Sequence, residues 1–167
     1  LAANPSFANV IVRFKEYPVL GLITGAVMTV IIQSSSVVIA ILQNLASQPG
    51  SDGIHASINL QAALPILFGS NIGTTIVALF AAIGTRINAK RAAVAHSVFN
   101  IIGSLIFIWF IPGFAKLVQL ISPRGSEADT ISRNIANAHT MFNILNTLIW
   151  LPFIWLLVKI DTFMVPG

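Results

Sequence analysis

The sequence predicts an all-α integral membrane protein: a re-entrant helical hairpin plus about three transmembrane helices, one of them broken near mid-bilayer. Three observations lead there. Apolar residues make up 56% of the chain and charged residues 8%, with a mean hydropathy of +0.87, a balance that suits lipid better than water. Two polar clusters, Gln33-Ser34-Ser35-Ser36 and Gly69-Ser70-Asn71-Ile72-Gly73-Thr74-Thr75, lie inside apolar runs and not between them. Polar segments at residues 47–59, 84–91 and 122–133 separate the runs from one another.

The elements follow in order within a single membrane domain, residues 1–167. Residues 5–16 put Phe7, Val10, Ile11 and Phe14 at helical spacing beside Arg13, Lys15 and Glu16, which fits a short interfacial helix or a plain linker. Residues 18–47 are the hairpin. Val19 to Ile32 would span about 21 Å as a helix, short of a hydrocarbon core of about 30 Å. One long helix with a polar stripe competes with a hairpin turning at Gln33 to Ser36. Serine runs favour caps and turns over helix interiors, which selects the hairpin.

Residues 60–84 are long enough to cross a bilayer, and the predicted break sits at Gly69 to Thr75. Glycines permit unusual backbone angles there, and hydroxyls can replace lost hydrogen bonds. A competing reading takes Gly69 and Gly73 as a small-xxx-small helix contact. Residues 92–111 and 134–158 are the remaining spans. Pro112-Gly113 is expected to end the first, with a small amphipathic piece from Phe114 to Ile121 beyond it, and Pro152 to kink the second. Trp150 and Trp155 fall toward an interface.

These two spans echo each other. Ala95-His96-Ser97-Val98-Phe99-Asn100-Ile101 matches Ala138-His139-Thr140-Met141-Phe142-Asn143-Ile144 at Ala, His, Phe, Asn and Ile. Helix rise counted from Arg91 and Arg133 puts Asn100 and Asn143 at a depth of about 14 to 15 Å, near the level expected for Asn71. They serve either as interhelical glue or as support for a site. For His96 and His139 interhelical hydrogen bonding is the better reading than catalysis or metal binding, since no carboxylate or third ligand accompanies them.

Charge narrows the function classes. The nine Lys and Arg residues, net +4, are spread along the chain, so nucleic acid is a poor partner and membrane orientation a good explanation. Their density at residues 84–91 predicts that this loop is cytoplasmic. The absence of cysteine removes thiolate and disulfide chemistry. No Gly-x-Ser-x-Gly elbow, Walker, dinucleotide or zinc motif occurs, so an enzyme is not predicted. Between Tyr17 and Ala46, and between Leu60 and Thr85, there is no ionisable Asp, Glu, Lys or Arg. An anion held there relies on helix N-termini, hydroxyls and accompanying cations, and neutral oxygens suit sodium. Ser35 or Ser36 is expected to cap a helix from Val37, and Thr74 or Thr75 one from Ile76. The two N-termini would converge on one oxyanion.

The paired clusters, with Asn88-Ala89-Lys90-Arg91-Ala92-Ala93-Val94-Ala95-His96, Phe99-Asn100 and Asn137-Ala138-His139-Thr140-Met141-Phe142-Asn143, resemble the bacterial branch of the type II sodium-dependent phosphate cotransporters. That resemblance implies half of an inverted-repeat transporter, the second repeat, in a multi-pass cell-membrane protein. It implies substrate binding by Gln33, Ser34, Ser35, Ser36, Ser70, Asn71, Thr74 and Thr75; Asn100 and Asn143 remain either glue or support. Sodium, the coupling ion with no other cofactor, would lie near Gln33, Ser34, Ser70, Asn71 and Thr74. Expected partners are inorganic phosphate, sodium, the lipid bilayer, and a second repeat from the same longer chain or an inverted homodimer. The start in mid-pattern at Leu1 suggests a piece of a longer polypeptide. The alternative readings are a non-transporting assembly or regulatory module, or a transporter of another small oxyanion.

Overall fold

The computed structural model describes residue 10 and residues 13–50 and 55–167. Of the predicted interfacial segment, Val10 and Arg13–Glu16 are helical, and the rest lies outside the described residues. Helix α1 spans Pro18–Ile32 and α2 spans Ser35–Ala46, about 22 and 18 Å long, each too short to cross a bilayer alone. Pro18 occupies the first turn of α1, where a missing N–H costs no hydrogen bond. Gln33 ends α1 in the left-handed region, at φ 60, and its N–H meets the Thr29 carbonyl at 2.7 Å. Ser34 then caps α2, its Oγ accepting from the Val37 N–H at 3.4 Å. The hairpin therefore forms at the polar tetrad, but the cap is Ser34 and not the expected Ser35 or Ser36, because α2 begins two residues sooner.

Helix α3, Leu60–Ala81, runs unbroken, which corrects the predicted mid-bilayer break. The hydroxyls do not replace lost hydrogen bonds; they add bonds to an intact ladder. Ser70 Oγ donates to the Leu67 carbonyl at 2.8 Å, Thr74 Oγ1 to Ser70 at 3.0 Å and Thr75 Oγ1 to Ile72 at 2.7 Å. The glycines serve close packing. A Cβ on Gly69 would lie 1.9 Å from the Leu22 carbonyl oxygen, and one on Gly25 would lie 2.0 Å from that of Ile66. Helices α1 and α3 therefore run side by side in parallel with their backbones touching, the arrangement small residues permit in membranes.

Helix α4, Ile87–Ile108, returns antiparallel to α3 after a turn at Gly84. Its bounds shift from the predicted 92–111, and the turn after it falls at Trp109-Phe110. Pro112 does not stop a helix; it occupies the first turn of α5, Ile111–Ile121. Helix α6, Glu127–Trp150, is capped by Ser126 and begins earlier than predicted. A 3₁₀ turn at Leu151–Phe153 follows, around Pro152, and then α7, Ile154–Met164. Asn146 Nδ2 donates to the Phe99 carbonyl and Arg91 Nε to the Val165 carbonyl, each at 3.0 Å. Between these contacts the chain advances about 28 Å along α6 and α7 but about 12 Å along α4, so the turn at Pro152 deflects it. The predicted single span over 134–158 is thus two helices set at an angle.

Three segments are long and apolar enough to cross a membrane: Leu60–Ala81, Ile87–Ile108 and Glu127–Met164. Phe68, Phe107, Phe114 and Phe142 join α3, α4, α5 and α6, with ring centroids 5.2 to 6.2 Å apart. Such aromatic pairs add about 0.5–1.5 kcal/mol each beyond their burial. The described residues form an all-helical bundle in which α3 is the central and most buried element.

Gly69→Ala is expected to destabilise the fold by about 1–3 kcal/mol, since backbone would have to move to admit the methyl group. Gly113, on α5, faces open space, and Gly113→Ala should stabilise by up to about 1 kcal/mol through helix propensity. Thermal unfolding in detergent checks both signs.

Candidate functional site

The polar residues of α3 divide by helical spacing. Gly69 and Gly73 face α1; Ser70 and Thr74 form the next stripe, and Asn71 and Thr75 the one after. Ser70 and Thr75 are fully buried, and Asn71 is nearly so. His139 on α6 lies 3.2 Å from Asn71, Nε2 to Oδ1. With the Asn71 amide so oriented, Oδ1 accepts, Nε2 carries the proton and His139 donates. Asn71 Nδ2 is buried and has no partner.

The hydrogen bonds decide what each side chain has left to offer. Ser70, Thr74 and Thr75 spend their hydroxyl protons on carbonyls of their own helix, so toward a ligand they present lone pairs, which suit a cation. Asn71 Oδ1 accepts from His139 and keeps a second lone pair, while its Nδ2 has no protein partner and offers N–H groups, which suit an anion. The hairpin tip offers both signs within a few residues. The last carbonyls of α1 carry partial negative charge, and the N–H groups opening α2 carry partial positive charge. Gln33 and Ser36 at this tip are exposed and Ser34 and Ser35 half-buried.

The structure brings the two clusters near each other but not into contact through hydrogen bonds. A Cβ on Gly73 would lie 2.6 Å from Thr29 Cβ. With the helices parallel and Thr29 level with Gly73, Gln33 stands about 9 Å, nearly two turns, further along the axis than Asn71, so the clusters do not share the single plane that depth counting suggested. Among the described residues no hydrogen bond joins Gln33, Ser34, Ser35 or Ser36 to Ser70, Asn71, Thr74 or Thr75. The expected second N-terminus at Ile76 does not exist, because α3 is continuous there. Asn100 and Asn143 bond the carbonyls of His96 and His139, four residues back on their own helices, at 3.1 and 2.8 Å. Neither reaches the polar stripe of α3.

Two residues escaped the sequence reading. Thr29 is fully buried against Gly73, and its Oγ1 has no partner. Its signal was the stripe Gly21, Gly25, Thr29 at four-residue spacing, ending one turn before Gln33. Asn146 is fully buried against Gly103 and bonds across to α4; nothing in its local sequence marks it out.

The profile of the Na+/Pi-cotransporter family matches residues 1–146. The chain belongs to the Na+/Pi-cotransporter family. Among its relatives, Bacillus subtilis YqeW is 37% identical over 116 residues, covering 70% of this chain and 36% of that protein. Human sodium-dependent phosphate transport protein 2B is 40% identical over 102 residues, covering 59% of this chain and 14% of that protein. The rat sodium-dependent phosphate transport protein 2A is 38% identical over 98 residues, covering 54% and 14%. The chain thus spans about a third or less of the length of these relatives. No solved structure matches it. Family and helices together make this a multi-pass membrane protein.

His139→Leu should cost about 1–3 kcal/mol by leaving Asn71 Oδ1 without a donor, while His139→Gln, which can donate, should recover much of it. Thermal unfolding of the two variants tests this. Nitrogen NMR of ring-labelled histidine should find the neutral His139 ring protonated at Nε2.

Proposed function

We propose that this chain supplies one of two repeats of a sodium-coupled phosphate symporter core. The observation that carries the reading is Asn71 Nδ2, a buried N–H donor with no protein partner. Leaving such a donor empty inside a membrane protein costs about 1–3 kcal/mol, and an oxyanion with several acceptor oxygens removes that cost. Family membership makes phosphate the oxyanion to test first, since the named relatives are sodium-dependent phosphate transport proteins.

Phosphate oxygens would accept from Asn71 Nδ2 and from the N-terminal N–H groups of α2, near Ser34, Ser35 and Ser36. Sodium would take the lone pairs of Ser70, Thr74 and Thr75 together with Gln33, Ser34 and the last carbonyls of α1. Asn71, expected in both the substrate set and the sodium set, serves the anion in this reading through its unpartnered Nδ2. Asn100 and Asn143 then act within their own helices and not at the ligand. A site built on neutral groups needs the cation to balance the anion, which is a physical reason for coupling the two.

The tip of one hairpin and one helix stripe enclose a ligand on few sides, so a second repeat completes the site. It comes from the same longer chain, with the loop at residues 84–91 in the cytoplasm, or from a second copy in inverted orientation, whose loop lies on the opposite face. In the inverted homodimer, a cysteine tag in that loop would react from both faces of the membrane; in the single-chain arrangement it reacts from one.

Uptake of radiolabelled phosphate by vesicles carrying the protein should require an inward sodium gradient. Asn71→Asp, which exchanges N–H donors for a carboxylate, should reduce uptake by about tenfold or more, the loss of a hydrogen bond to a charged group. Uptake indifferent to the sodium gradient would overturn the proposal.

A further inference from the structure

At the end of the bundle that carries the Gly84 turn, a groove of about 280 Å³ runs between the close of α3, the opening turns of α4 and the close of α7. Leu79, Ala82, Ile83, Val94 and Val165 form its apolar walls, and the charged residue in its lining is Lys90. Lys90 and Val94 stand four residues apart on α4, one above the other on the same face, with Arg86 a turn before them. A cation is thereby set into an otherwise apolar slot.

A second cation is fixed beside it. Arg91 is half-buried, and its Nε donates to the carbonyl of Val165 at 3.0 Å. Since Val165 is a wall of the groove, that bond holds the guanidinium at the groove and leaves its terminal amino groups to other acceptors. Arg86 is exposed, and among the described residues none of the three cations is in an ion pair. Asp161, one turn before Val165, is the acidic residue of α7 and pairs with none of them. Three cations therefore face one carboxylate, and this corner of the molecule keeps positive charge.

The surroundings decide which kind of anion fits. Ile83 and Phe163, from the α3–α4 turn and the end of α7, are 73% and 86% exposed. In a membrane protein side chains this apolar and this exposed lie against acyl chains, and the Lys and Arg beside them reach the headgroup level. Unpaired cations next to an apolar slot complement an anionic amphiphile in both charge and polarity. We propose that this groove binds one anionic phospholipid from the surrounding bilayer. Its phosphodiester accepts from Lys90 and Arg91, and one acyl chain lies against Leu79, Ile83 and Val94. A choline lipid brings its own cation to this basic corner, and a water-soluble phosphate ester leaves the apolar slot unfilled.

Native mass spectrometry of the purified protein, with equimolar phosphatidylglycerol and phosphatidylcholine of the same acyl chains supplied in detergent, tests the assignment. Retention of the glycerol lipid should exceed that of the choline lipid by about tenfold, the worth of one or two basic residues at an anionic headgroup. Lys90→Gln should remove most of that preference, whereas Arg124→Gln, which removes an exposed cation at the opposite end of the bundle, should leave it unchanged. Lys90 makes no side-chain hydrogen bond among the described residues, so its variant keeps the measurement decisive where Arg91→Gln would also disturb the bond to Val165. Equal retention of the two lipids, an undiminished preference in Lys90→Gln, or an equal loss in Arg124→Gln would overturn the proposal. Displacement of the lipid by free glycerol phosphate at matching concentration would overturn the lipid as the occupant.

Discussion

The contact between α1 and α3 is the constraint on which the rest of the structure depends. Leu22 and Ile66 place backbone carbonyls where Gly69 and Gly25 would carry a Cβ, so the two backbones meet without side chains between them. In lipid there is no hydrophobic force to press helices together; close approach and the dispersion it allows must do so. That contact fixes α1 in parallel register with α3, sets Thr29 against Gly73, and so decides how far along α3 the hairpin tip reaches. It also explains why α3 stays helical through a stretch rich in glycine. Unwinding there would remove the flat surface on which α1 rests.

Once α3 is continuous, its polar residues cannot act as helix caps, and their chemistry is decided by where their protons go. A serine or threonine in a helix gives its proton to a carbonyl one turn back, and what is left is an acceptor. An asparagine has two N–H groups, so such a bond, as at Asn100 and Asn143, leaves one of them free. Asn71 instead uses its oxygen on His139 and keeps both protons. One helical segment therefore carries hydroxyl oxygens with free lone pairs and, close by, amide protons without a partner, and no formal charge. Arranging opposite preferences this way limits the desolvation that a buried Asp or Arg would incur.

Much of this was legible in the sequence, and what was not had identifiable physical reasons. Composition and run lengths are local properties, so the all-helical membrane class and the hairpin at Gln33 to Ser36 could be read directly. The break at Gly69 to Thr75 could not be decided in that way. Glycine beside hydroxyls fits both an unwound segment and a tight contact, and only the glycine stripe on α1 tells them apart. Pro112 was misread for a similar reason, since proline stops one helix and opens the next with equal ease. Thr29 and Asn146 are ordinary residues locally. They matter because Gly73 and Gly103 leave room for them, which is a property of the packed bundle.

The echo between α4 and α6 shows how far a repeated motif determines a role. In both copies the asparagine bonds the carbonyl of the histidine four residues before it, at 3.1 Å for Asn100 and 2.8 Å for Asn143. That much is local and repeats with the sequence. The histidines diverge. His96 stands on an exposed face of α4, whereas His139 turns inward to Asn71. The difference lies in the neighbours: α6 packs against α2, α3, α4 and α5, while this part of α4 has one side open.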